Sequence, residues 1–145
     1  MKRGYTLLEL IIVLAIILVL MLPTLNISKS YIKSIEKIKG KSIVNDISNL
    51  ISYSKYYCRQ NNSQGLIEIS RSKGKIVFKD TSGRSKTIKT IILEDGFKFV
   101  SNESLSINKI GSVESATIRI MNEKGDLYKV TIATGVDTVN IYEGE

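Results

Sequence analysis

The chain has 145 residues, with 21 Lys and Arg against 14 Asp and Glu, no His, no Trp and one Cys, for a formal net charge of +7. That length holds one domain beside an anchor segment. The missing His excludes a His-based triad or general base. A single Cys excludes an internal disulfide, and with no His there is no Cys/His metal cluster.

The chain opens with Met1-Lys2-Arg3-Gly4-Tyr5-Thr6-Leu7-Leu8-Glu9, followed by an uninterrupted apolar run over 10–22. Those 13 residues are too few to span a bilayer, but 5–25 supplies about 21, close to the ~20 a spanning helix needs. The segment is apolar all round except at Glu9, whereas a soluble core helix shows one polar face. Lys2 and Arg3 just before it place the N-terminus in the cytoplasm and the bulk of the chain outside. A cleaved secretory signal would need a small-residue A-x-A site after the run, and Met21-Leu22-Pro23-Thr24-Leu25-Asn26 has none. An uncleaved signal anchor explains the cations and the apolar run, but not Glu9 or the Gly4-Tyr5 junction.

Glu9 is costly beside a membrane, roughly 2.5–3.5 kcal/mol at a bilayer centre and less near its edge. Cleavage after Gly4 would give Tyr5 a positive amine about one helical turn away, within one chain or between neighbouring chains. At ~4 Å and an effective dielectric of about 20, such a pair attracts by about 4 kcal/mol. That offsets the burial cost and could set register in an assembly.

At these residues the chain resembles a type IV pilin or type II secretion pseudopilin precursor. The pattern G-[F/Y]-T-L-L-E-L-x-x-V-L-A-I-I is matched from Gly4 to Ile17, with Tyr5 in place of the commoner Phe. The resemblance implies a class III leader over 1–4 and cleavage by prepilin peptidase between Gly4 and Tyr5. It also implies N-methylation of Tyr5 and retention of the apolar run as a transmembrane and assembly helix over 5–25. Glu9 would guide assembly by meeting the N-terminus of the preceding subunit. The implied partners are the peptidase, other pilin or pseudopilin subunits, the inner-membrane assembly platform and the lipid bilayer. The closing segment is similar to H-type minor pseudopilins and FimT-like pilins, and Gram-positive competence pseudopilins share the layout.

Beyond Pro23, which would break or kink a helix, apolar residues recur at Ile27, Tyr31, Ile32, Ile35 and Ile38. They recur again at Ile43, Val44, Ile47, Leu50, Ile51, Tyr57 and Cys58. This spacing predicts an amphipathic continuation of the helix over 26–60, with Gly40 loosening it locally and Asn61-Asn62 ending it. The stripe from Ile43 to Cys58 is expected to bury against strands, with Cys58 as a small hydrophobe. Lys29, Lys33, Lys37, Lys39 and Lys41 cluster against one acid, Glu36. They read first as a solvated face, and second as a basic surface for lipid phosphate, DNA or an acidic neighbour. DNA is not favoured, because a non-specific site would interleave aromatics with arginine.

The remainder, 61–145, alternates apolar and polar residues at period two between glycine turns. Strands are predicted at 65–70, 75–79, 87–93, 98–100, 104–108, 116–121, 128–133 and 138–142. Ile118 and Ile120, Val130 and Ile132, and Val139 and Ile141 should present the faces that cover the helix. One long helix followed by antiparallel strands is an α+β, pilin-like fold. No catalytic constellation, cofactor motif or metal site is legible. Asp80 and Asp95 fit turns. The chain reads as a structural filament subunit in the cytoplasmic membrane, with its head outside, and not as an enzyme. The alternatives are a filament-tip module capturing DNA or another ligand, and an uncleaved signal-anchored protein.

Overall fold

A computed structural model of the chain describes residues 6–100, 102–133 and 139–143; side chains at 22–30, 33 and 139–143 are outside the description. Helix α1 (Leu7–Gln60) is followed by eight strands: β1 (Gly65–Ser70), β2 (Lys75–Asp80), β3 (Lys86–Ile92), β4 (Phe97–Phe99), β5 (Ser104–Ile107), β6 (Ala116–Asn122), β7 (Leu127–Ile132) and β8 (Val139–Glu143). They form two antiparallel four-stranded sheets, ordered β3-β2-β1-β5 and β4-β6-β7-β8. The α+β expectation holds, and the strand bounds lie within a residue of those read from alternation. Thr138 of the predicted last strand lies outside the described residues.

Two compact units divide the chain between Lys39 and Gly40. The first is helical where described, and its side chains from Leu7 to Met21 are exposed. Tyr31, Ile32, Ile35 and Ile38 are exposed as well. Helix α1 runs through Pro23.

The second unit holds the core. Ile43, Val44, Ile47, Leu50, Ile51 and Cys58 are buried in one cluster with residues of both sheets. Each fully buried aliphatic side chain contributes roughly 1.5–3 kcal/mol relative to exposure. Alternation along the strands supplies the other side of the cluster. Ile67 pairs with Phe78 and Ile69 with Ile76 in the first sheet; Ile118 pairs with Val130 and Ile120 with Tyr128 in the second. Ser54 is buried within the same helix stripe, its hydroxyl donating to the Leu50 carbonyl at 2.7 Å.

The helix ends where the two asparagines predict. Asn62 has φ 48°, Ser63 N donates to Cys58 O at 3.0 Å and Asn62 N to Arg59 O at 3.4 Å. This is a Schellman ending with asparagine in the left-handed position. β5 stops one residue short of the prediction because Asn108 turns the chain: its Oδ1 accepts from Ile110 N at 3.1 Å and Ser112 N at 2.8 Å.

Gly40 does something other than loosen the helix. A Cβ there would overlap Cζ and Cε1 of the Tyr128 ring and lie 2.7 Å from its hydroxyl. The missing side chain is the slot in which the aromatic ring sits.

Candidate functional site

Of the residues implicated at the N-terminus, Gly4 and Tyr5 lie outside the described residues, while Thr6 and Glu9 are described. Thr6 precedes the first residue of α1, and Glu9 is three positions on. The backbone N–H of Thr6 donates to Glu9 Oε2 at 2.9 Å, and its hydroxyl donates to the same oxygen at 3.2 Å. The N–H of Glu9 reaches Thr6 Oγ1 at 3.3 Å. Leu10 N donates to Thr6 O at 3.3 Å, beginning the helical ladder.

Together these bonds make a capping box, in which an N-cap hydroxyl and an N3 carboxylate satisfy each other's orphan N–H groups. The positive end of the helix dipole adds to the stabilisation of the acid there. Thr6 is a residue that the sequence reading passed over. Its signal was available: Thr-x-x-Glu directly before an apolar run is the sequence form of this cap. The capping role also supplies a local reason for Glu9 that an anchor helix alone would share.

The apolar surface that follows is uncovered. Leu7, Leu8, Leu10 and Ile11 are 55–77% exposed, and Leu18 to Met21 62–66%. A side-chain surface of that kind in an isolated chain calls for lipid or other helices around it. Taken over the described residues alone, no helix is long and apolar enough to cross a membrane.

The basic cluster is only partly described: Lys29 and Lys33 have no described side chains, while Lys37, Lys39 and Lys41 are exposed. Each of those three takes part in a polar or electrostatic interaction.

In the second unit Tyr57 and Asp80 serve the fold. Tyr57 donates its hydroxyl to Asp80 Oδ2 at 3.3 Å, and Asp80 Oδ1 accepts from Ser82 N at 2.9 Å, closing the turn after β2. Burial, then the Asp80 charge, raises the Tyr57 phenol above its ordinary value. Cys58 is buried and unpaired. Burial raises its thiol, the nearby Ser63 hydroxyl pulls the other way, and Asp80 adds to the rise. A thiol so placed is a poor nucleophile, since the thiolate is the reactive form. Among the described residues, no group of three or more His, Cys, Asp or Glu could hold a metal ion.

Residues 1–25 match the prokaryotic N-terminal methylation motif. No curated protein matches the chain. Two solved structures of the minor pseudopilin EpsH from the Type 2 Secretion System of Vibrio cholerae are similar to it. One has a TM-score of 0.60 at 14% identity, covering 72% of this chain and 97% of that one. The other has a TM-score of 0.62 at 11% identity, covering 74% and 95%. At such identity the likeness establishes the fold. The chain thus carries the prokaryotic N-terminal methylation motif on the α+β fold of a minor pseudopilin.

Proposed function

We propose that the chain is the precursor of a minor pilin or pseudopilin, a structural subunit of a type IV filament and not an enzyme. The observation that carries this reading is the coincidence of the methylation motif over 1–25 with a likeness to a pseudopilin fold over 72–74% of the chain. Either feature alone would be weaker: the motif says how the terminus is handled, and the fold says what kind of body it carries.

On this reading prepilin peptidase removes residues 1–4, and Tyr5 becomes the methylated N-terminus. The segment 5–25 anchors the subunit singly in the cytoplasmic membrane, with the head outside, and then packs among the helices of other subunits. The assembly platform in the membrane would receive the processed chain there. Glu9 meets the amine of a neighbouring subunit. The capping box supports this geometry, since both Thr6 bonds fall on Oε2 and a carboxylate has about four acceptor sites over its two oxygens.

Intact-mass spectrometry of the membrane-extracted protein tests the reading. The expected species starts at Tyr5 and carries one added methyl group. An unprocessed Met1 terminus in cells with an active peptidase would reduce the chain to an uncleaved signal-anchored protein.

A further inference from the structure

Outside the N-terminal segment, the second unit exposes few large hydrophobic side chains: Tyr53, Tyr56, Ile92 and Ile110 among the described residues. Tyr56 lines a groove with Arg59, and Arg59 holds the loop that carries Ile110. Tyr56 is 63% and Ile110 71% exposed. Ile110 sits at the tip of the loop between β5 and β6, and that loop is fixed to the last turns of α1. Arg59 Nε donates to the Ile110 carbonyl at 3.2 Å. Gly111, at φ +78°, lies so close to the helix that a Cβ would come within 2.7 Å of the Lys55 carbonyl. Within the loop, Asn108 Oδ1 holds Ile110 N and Ser112 N, and Gly111 N donates to Asn108 O at 2.9 Å. An exposed isoleucine is therefore presented on a hydrogen-bonded loop whose backbone is already ordered.

Beside it, Ser52, Lys55, Tyr56 and Arg59 line a groove of about 230 Å³. No acid lines it. Lys109 is exposed on the same loop. Two of the lining residues, Tyr56 and Arg59, are of the types that dominate binding hot spots. Preordering the loop lowers the entropic cost of docking.

We propose that Tyr56, Arg59, Lys109 and Ile110 form a protein-docking surface. Its occupant is a partner protein that offers a carboxylate beside an apolar pocket. The carboxylate would face Arg59 and Lys109, and the pocket would take Ile110. A nucleic acid fits less well: single strands are held by successive aromatic platforms along a basic channel, and this groove is short, with one tyrosine and an aliphatic tip. The surface is read from the head alone and stands whether or not the chain enters a filament.

The test uses the full chain in its own membranes, with photoreactive benzoylphenylalanine placed at Tyr56, at Ile110 and, as a control, at Ile92. Irradiation is expected to give a protein adduct from positions 56 and 110 and none from 92, with the captured peptide containing Asp or Glu. Lys109→Glu should lower the yield about tenfold or more through like-charge repulsion, and Lys109→Arg should keep it. Absence of a protein adduct from 56 and 110, or an equal adduct from 92, overturns the proposal. So does a nuclease-sensitive adduct, or a captured peptide without an acid. Equal loss in the Glu and Arg variants overturns it too, as does equal retention in both.

Discussion

Thr6 and Glu9 close a reciprocal set of hydrogen bonds across the first turn of α1, with Thr6 N to Glu9 Oε2 at 2.9 Å and Glu9 N to Thr6 Oγ1 at 3.3 Å. The contact gives the carboxylate one job, a cap on its own helix; the proposed assembly would give it a second and separable one, a charge for a neighbour. Gln serves in a capping box as Glu does, so Glu9→Gln keeps the first job and removes the second. The variant should still be processed at Gly4-Tyr5 and should keep an ordered helix start, while its incorporation into filaments falls. Immunoblots of sheared filaments against total membranes measure the fall. Normal incorporation of Glu9→Gln would leave Glu9 as a cap and nothing more.

Thr6→Val is the complementary change. It keeps the shape of the side chain and removes the hydroxyl that receives the Glu9 N–H. Loss of an N-cap costs about 1 kcal/mol, roughly a fivefold shift in an opening equilibrium. Amide hydrogen exchange of the detergent-solubilised chain should quicken by about that factor in the first turn of α1 and stay unchanged near Cys58. Thr6→Ser should exchange like the parent. Unchanged exchange in Thr6→Val would mean that the cap contributes little.

Gly40 and Tyr128 make a second paired prediction. Ala is favoured over Gly in a helix by about 1 kcal/mol, so on propensity alone Gly40→Ala should stabilise. The added methyl would instead overlap the Tyr128 ring, and overpacking of this kind typically costs 1–3 kcal/mol. The steric cost is expected to win, with a lower urea midpoint for Gly40→Ala. Combining it with Tyr128→Leu should recover part of the loss, the non-additivity expected of residues in contact. A raised midpoint for the single variant would show that the ring moves aside freely.

Much of this architecture was legible because its signals are local. Period-two alternation at 65–70 and 116–121 placed the strands, and the stripe from Ile43 to Cys58 placed the buried side of the helix. Asn61-Asn62 marked its end. What escaped depended on partners distant in sequence. Nothing near Gly40 announces that Tyr128, far along the chain, will need its missing side chain. Nothing in Lys109-Ile110 shows that Arg59 will hold the loop. Thr6 is different: its Thr-x-x-Glu spacing is local and readable, and the cap it makes uses the same carboxylate that carries the charge of Glu9.

Burial at the end of α1 also sets a pH dependence. The Cys58 thiol and the Tyr57 phenol are both raised, chiefly by burial. Each holds its proton in the folded chain at a pH where the unfolded chain has lost it. Over that window the native state binds more protons, so stability falls as pH rises. It is unaffected below the unfolded values, and the loss begins at roughly pH 8.5 for the thiol and about pH 10 for the phenol. Urea midpoints should therefore be flat from pH 7 to 8 and decline from about pH 9 upward. Cys58→Ala leaves only the phenol's share, so its decline should start later, near pH 10, although its midpoint at pH 7 is itself lowered by the cavity left behind. Native Cys58 should react with a maleimide far more slowly than in urea, and the two rates should converge only when the head unfolds. A thiol labelled as quickly in the native chain would contradict its burial, and a Cys58→Ala profile parallel to the parent's would remove it as the source of the earlier decline.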